Sequence, residues 1–250
     1  MSGNLICDLD GVVWRGGTAL PGSAEAIKAA RAAQWNVIFC TNNSSRPPAA
    51  IVERLEEVAE IDASPEQVAT SAQAAALLLG DRPLTFILGG EGIDNALAEA
   101  EVPVTTDPKK AQAVVVGLDP GLTYARLRDA VIAVREGARL IATNLDPTFP
   151  VEGGLWPGAG SIVAAVETAA GCRAEPAGKP HRPMRDLLRS RLKAGETWVV
   201  GDRADTDLAM AAAEPGWRGA LVGSSTGLSD PAADFVAPDL AGVVREVMGR

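Results

Sequence analysis

Two aspartates one residue apart, Asp8-Leu9-Asp10, close a short apolar run, Leu5-Ile6-Cys7, and lead into Gly11-Val12. In an extended segment residues two apart point to the same side, so both carboxylates face one way. Carboxylates that close repel each other unless a cation or a shared proton intervenes. Acid–x–acid pairs also occur in solvated turns, so this one carries chemistry only if it has partners. One partner stretch is Gly201-Asp202-Arg203-Ala204-Asp205-Thr206-Asp207, which follows a second apolar run, Trp198-Val199-Val200. A helix N-terminus would account for Asp205 or Asp207, but it leaves Asp202, at a strand end, unexplained. Two acidic strand ends offer an oxygen-only donor set of the kind that binds Mg²⁺. Thr41-Asn42-Asn43-Ser44-Ser45 supplies hydroxyls, amides and backbone N–H groups suited to phosphate oxygens, although a polar turn has the same composition. Gly178-Lys179-Pro180 adds a lysine ahead of a helix, which alone reads as a surface charge.

Strands and helices alternate along the chain in a way that brings these residues to one sheet edge. Strands are predicted at Leu5–Asp8, Asn36–Thr41, Thr85–Leu88, Ala113–Val116, Arg139–Ala142, Thr197–Val200, Ala220–Val222 and Phe235–Val236. A helix opens at Pro21-Gly22-Ser23 and runs to about Gln34, another starts at Pro47-Pro48, and Tyr124–Glu136 and Ser161–Ala170 have helical spacing. Such alternation specifies an α/β protein with a doubly wound parallel sheet, in which ligands bind at the carboxyl ends of the strands. The Gly/Pro-bearing stretches Gly80-Asp81-Arg82-Pro83 and Ala174-Glu175-Pro176-Ala177-Gly178 bracket about a hundred residues with their own strands and helices, enough for a small domain. The expected division is a discontinuous core, residues 1–79 and 175–250, with a smaller α/β domain, residues 80–174, inserted into it.

In this order the four stretches resemble the haloacid dehalogenase (HAD) superfamily of phosphotransferases. Asp8-Leu9-Asp10-Gly11-Val12 is similar to its first motif, Thr41-Asn42-Asn43 to its second, Lys179-Pro180 to its third, and Gly201-Asp202 with Asp207 to its fourth. The large insert between the second and third resembles the family's class II cap. Trp14-Arg15-Gly16, Thr41 to Ser45, Asp202 to Asp207, Ala142-Thr143-Asn144-Leu145-Asp146 and Trp156 to Ser161 resemble the NagD-like branch of p-nitrophenyl and phosphoglycolate phosphatases.

The resemblance implies a Rossmann-like core and a Mg²⁺-dependent phosphomonoesterase acting on small phosphorylated metabolites, of the phosphoglycolate, glycerol phosphate or nucleoside monophosphate class. It makes Asp8 the nucleophile that becomes an aspartyl phosphate. Asp10 would protonate the leaving alkoxide and then deprotonate the hydrolytic water. Mg²⁺ would be held by Asp8, the Asp10 backbone carbonyl and Asp202, with Asp207 in support; Asp205 is the less secure of the two later acids. Thr41, Asn42, Asn43, Lys179 and backbone near Gly11 would hold phosphate oxygens. Aspartate at position 10 favours phosphoryl transfer over dehalogenation, which needs no acid for an alcohol leaving group. In the cap, Asp146 and Phe149 are candidates for substrate selection; Phe149 equally suits cap core. Related phosphatases pair through their caps, so a homodimer of that kind is the expectation.

Composition excludes other classes. The 250 residues are 47% hydrophobic and carry 23 basic against 32 acidic side chains, a net charge of −9. That balance argues against nucleic acid as a partner and against long-range steering of anions, so attraction for phosphate has to be local. No apolar run approaches the ~18 residues of a membrane span, and the Met1–Asp10 stretch lacks a secretory pattern. Three widely spaced cysteines, Cys7, Cys40 and Cys172, form neither a disulfide framework nor a metal finger, and suit the reducing cytoplasm. His181 sits in a polar loop beside Lys179 and reads as structural. Gly158-Ala159-Gly160-Ser161 lacks the third glycine of a dinucleotide fingerprint. Two other readings of the aspartates are a phosphoacceptor module of the response-regulator kind and a non-catalytic phosphate-binding protein. The position of the Asp-x-Asp pair and the large insert disfavour the first, and retention of every expected charged position disfavours the second.

Overall fold

The computed structural model describes residues 2–151, 153–223 and 232–249. The chain forms two compact units, one made of Met1–Thr41, Ala49–Ala69 and Leu188–Arg250, the other of Asn42–Pro48 and Thr70–Leu187. Among the described residues no helix is long and apolar enough to cross a membrane.

The first unit is built on a six-stranded sheet in the order Phe235–Ala237, Trp217–Val222, Glu196–Gly201, Gly3–Asp8, Asn36–Thr41, Val68–Thr70. From Phe235–Ala237 through Asn36–Thr41 every neighbouring pair is parallel. All six residues of Gly3–Asp8 are buried, as a central parallel strand covered on both faces requires. On one face Leu5 and Cys7 cluster with Val37, Phe39, Trp198 and Val200. Helices Ser23–Ala32 and Leu240–Met248 close this face with Ala26, Ile27 and Ala30 from the first and Leu240, Val243, Val244 and Val247 from the second. Register is pinned at the amino ends of the strands by the fully buried Asn4. Its Nδ2 donates to Lys193 O (2.9 Å) and Thr197 Oγ1 (3.2 Å), and its Oδ1 accepts from Asn36 Nδ2 (3.0 Å) and Lys193 N (2.9 Å). Every polar group of a buried amide is thereby used.

From Gly3–Asp8 the chain winds to Asn36–Thr41 on one side, and it later returns to Glu196–Gly201 on the other. The winding therefore reverses between Gly3–Asp8 and Glu196–Gly201, the crevice where doubly wound sheets bind ligands.

The second unit has a four-stranded parallel sheet in the order Glu175–Pro176, Arg139–Ala142, Ala113–Val116, Thr85–Leu88. Val114, Val116, Leu140 and Ala142 pack with Ala130 and Ala133 of helix Tyr124–Arg135 and with Ile162, Val163 and Val166 of helix Ala159–Ala170. An antiparallel hairpin, Thr148–Val151 with Gly154–Pro157, pairs Phe149 opposite Trp156.

The parallel α/β architecture and every predicted strand are present. Helices Ser71–Leu78 and Leu240–Met248, the strand Val68–Thr70 and the hairpin Thr148–Val151 with Gly154–Pro157 were not foreseen. Ser71–Leu78 is nearly all small or apolar and mostly buried, so it lacks the polar face that marks a helix in sequence. The stretch Ala204–Leu208 is a π-helical turn rather than the first turn of a regular α-helix.

Candidate active site

Parallel register sets three strand ends side by side in the first unit. Asp8 pairs with Cys40, so Thr41 stands one step beyond it; Cys7 pairs with Val200 on the other side, which puts Gly201 and Asp202 at the same edge. Carboxylate oxygens of Asp8, Asp202 and Asp207 lie within 4.8 Å of one another. Asp8, Thr41 and Asp207 are buried. Three carboxylates gathered in partly buried surroundings repel strongly without a counter-charge, and an all-oxygen set is the donor type of a hard cation.

Two glycines make the cluster sterically possible. A Cβ on Gly11 would lie 2.1 Å from Asp202 Oδ2, and Gly11 has φ +83°, a conformation other residues resist. A Cβ on Gly201 would lie 2.1 Å from Asp207 Cγ. The π-helical turn carries Asp207 back toward the strand end, with its N–H on Arg203 O (3.0 Å) and the Thr206 hydroxyl donating to its Oδ2 (3.2 Å). Asp205, two residues earlier, is exposed and joined to Arg203 through Nη2–Oδ2 (2.6 Å) and Nε–Oδ1 (3.0 Å). That guanidinium holds the Asp205 carboxyl below the usual carboxylate range. Asp207, rather than Asp205, is thus the acid that joins Asp8 and Asp202.

The Asp10 carboxylate is not part of the trio. Its Oδ1 accepts from Trp14 Nε1 at 2.9 Å, and the Gly11 N–H donates to Trp14 O at 2.7 Å. Trp14 entered the sequence reading only through the resemblance; its spacing of four from Asp10 across a glycine turn was the available signal.

The other expected site residues lie in the second unit. The Asn42 carboxamide is committed on both ends: Nδ2 donates to Asp146 Oδ2 (2.9 Å) and Lys179 O (3.3 Å), and Oδ1 accepts from Lys179 N (2.8 Å). Asn144 Nδ2 (2.6 Å) and Ser71 Oγ (2.5 Å) donate to Asn42 O. Asn43 Oδ1 accepts from Ser45 N and Oγ, a side-chain-closed turn. Sequence reasoning missed Ser71, which carries no motif of its own, and named Asn144 only within the stretch Ala142 to Asp146. Lys179 is 5% exposed, so it is not a solvated surface charge; a buried ammonium persists only with compensating polar or anionic groups. Phe149 lies on a strand of the hairpin, half-buried, with its ring edge-on to Trp156 (centroids 6.3 Å, 80°). Burial, then nearby Arg185, pushes the His181 imidazole below its usual value. Ala159 and Gly160 begin the helix Ala159–Ala170, and Gly160 N donates to Asp146 O (2.9 Å), so this stretch is a structural packing element.

A doubly wound sheet with a carboxylate trio at its switch point, carrying a second α/β unit within the same chain, defines a Rossmann-like protein of the inserted-domain type. The sequence matches the family of haloacid dehalogenase-like hydrolases over residues 5–103 and a HAD-hydrolase-like family over residues 176–243. It is 38% identical over 208 residues to an acid sugar phosphatase of Staphylococcus haemolyticus, covering 81% of this chain and 78% of the relative. Among solved structures, it is similar to a glycerol phosphate phosphatase from Mycobacterium tuberculosis in complex with magnesium (TM-score 0.85, 33% identity, 96% of this chain and 75% of that one). It is also similar to a p-nitrophenyl phosphatase from Archaeoglobus fulgidus (TM-score 0.85, 29% identity, 97% and 98%). The chain belongs to the haloacid dehalogenase-like hydrolases, and it is an enzyme of their phosphatase class.

Proposed function

We propose that this protein is a Mg²⁺-dependent phosphomonoesterase that hydrolyses small phosphorylated metabolites through an aspartyl phosphate on Asp8. The observation that carries the reading is the trio Asp8, Asp202 and Asp207 at the sheet's switch point. The relatives support it: one is an acid sugar phosphatase, and another is a glycerol phosphate phosphatase in complex with magnesium. Asp8, Asp202 and Asp207 would hold the cation together with the Asp10 main-chain carbonyl. When bound, Mg²⁺ neutralises charge that would otherwise keep a phosphate dianion from a carboxylate.

Asp8 attacks phosphorus in line as the ester oxygen leaves. Asp10 gives that oxygen a proton and later takes one from the water that hydrolyses the acyl phosphate. Thr41, Asn43 and Lys179 receive the phosphoryl oxygens. Asn42 and the backbone near Gly11 complete the phosphate cradle; Gly11 also admits Asp202, and the Asn42 carboxamide also fixes the main chain of Lys179. Residues 80–174, which make up most of the second compact unit, act as the substrate-selecting cap, and 1–79 with 175–250 form the core, including the short stretches that cluster with the second unit. Substrates are phosphate monoesters of small polyols, sugars, glycolate or nucleosides. A cytoplasmic location belongs to the same proposal, supported by three cysteines of which none is in a disulfide.

Phosphate release is to be measured from p-nitrophenyl phosphate and a panel of such metabolites. Activity that requires Mg²⁺, disappears with chelator and is lost in Asp8→Asn supports the proposal. Full activity in pure Asp8→Asn protein refutes it.

A further inference from the structure

Trp14 is 2% exposed and belongs to the main hydrophobic cluster of the first unit, yet its one polar side-chain atom, Nε1, is directed at Asp10 Oδ1. The turn between them is tightly closed: Trp14 N donates to Leu9 O (3.1 Å) and Gly11 N to Trp14 O (2.7 Å). Trp14 also pairs with Ala19 in the short hairpin Trp14–Arg15 with Thr18–Ala19. On its outer side the Arg54 guanidinium lies over the indole, 4.6 Å from the ring centroid, and is tethered to Gly16 O. The indole is therefore held by its backbone, by core packing and by a cation on its face.

We propose that Trp14 is a positioning residue for Asp10 that decides which carboxyl oxygen handles the proton. The inference rests on the proposed acid–base role of Asp10. An indole N–H can only donate, so the oxygen facing it must offer a lone pair. Oδ1 is thereby committed, and the transferable proton sits on Oδ2. Without Trp14 the carboxyl torsion is soft and the two oxygens exchange places. In the first step an Asp8 oxygen bonds to phosphorus, the ester P–O bond breaks, and the Oδ2 proton passes to the departing oxygen. In the second, a water oxygen bonds to phosphorus, its proton returns to Asp10 Oδ2, and the P–O bond to Asp8 breaks with its electron pair returning to the carboxylate. A misdirected Oδ2 impairs both steps, but the first only in proportion to the leaving group's need for a proton.

That dependence separates positioning from structural support. The test measures kcat/KM, which reports the steps through phosphoryl transfer, for a series of aryl phosphates from p-nitrophenyl to p-methylphenyl, with Mg²⁺ present. Trp14→Phe is expected to lower kcat/KM about tenfold for the most basic leaving group and less than about threefold for p-nitrophenyl phosphate. Asp10→Asn should show the same slope more strongly, and Trp14→Phe added to Asp10→Asn should cost nothing further. Arg54→Met, which loosens the ring without altering the core, should show the same slope more weakly and stands in if Trp14→Phe fails to fold. A loss uniform across the series, or one that multiplies in the double variant, overturns the positioning role while leaving Asp10 as acid. A flat series for Asp10→Asn itself overturns both.

Discussion

Removing one charge from the carboxylate trio should stabilise the metal-free protein and abolish its response to Mg²⁺. The oxygens offered by Asp8, Asp202 and Asp207 lie within 4.8 Å of one another. At that spacing, with an effective dielectric near 20, two unit charges repel by about 3.5 kcal/mol. Asp207→Asn keeps the shape and an oxygen for the Thr206 hydroxyl while deleting two such repulsions, about 7 kcal/mol in a static array. Counter-ions and local relaxation absorb most of this, leaving a net gain of roughly 1–2 kcal/mol, or about 2–8 °C in Tm for a chain of this size. In wild type, Mg²⁺ at a hundred times its Kd adds about 2.7 kcal/mol, and the variant forfeits most of that. Thermal unfolding of both proteins in chelator and across a Mg²⁺ titration should therefore give curves that cross: the variant melts higher without metal and lower with it. A variant that is equally destabilised in both conditions, or that gains as much from Mg²⁺ as wild type, refutes the idea that these three acids form an electrostatically strained cation site.

Asp205→Asn, which alters an exposed acid paired with Arg203, should leave kcat/KM within about twofold and Mg²⁺ affinity unchanged by calorimetric titration. Asp146→Ala deletes the nearer of the two acceptors for Asn42 Nδ2 and should lower phosphatase activity about tenfold, whereas Asp146→Asn, which retains an oxygen there, should recover most of it; equal losses would show that charge, not the bond, matters. Asn4→Ala leaves Lys193 N without its acceptor and Asn36 Nδ2 with Arg191 O alone, and should cost about 1–3 kcal/mol in urea unfolding with little change in KM, since it lies at the opposite end of the strand from Asp8.

Much of this molecule can be read along the chain because the relevant information is local. Leu5–Asp8 and Asn36–Thr41 are short apolar runs ending in polar residues, and a parallel sheet turns that pattern into buried strands with reactive ends. Asp8, Asp10, Thr41, Lys179 and Asp202 were accordingly recognisable from residue type and order alone, as was the alternation that specifies an α/β fold. Other features depend on backbone geometry and on distant contacts that residue type and order do not record. Whether Asp205 or Asp207 joins the trio turned on a π-helical turn and on the glycine at 201, which lets a side chain approach the strand end. The ties of the Asn42 carboxamide to Asp146 and Lys179, 104 and 137 residues away, likewise leave no mark in residue type or order. The helix Ser71–Leu78 escaped notice because burial, not amphipathic patterning, stabilises it.

The sequence by itself determined which chemistry is present, since carboxylates at strand ends and a lysine before a helix are properties of residue type and local period. Tertiary structure alone decided how those groups are oriented: which acid completes the trio, and which oxygen of Asp10 faces the Trp14 indole. Orientation depends on a hydrogen-bonded partner and on the packing that holds that partner still, and packing brings together residues whose separation along the chain carries no record of their contact.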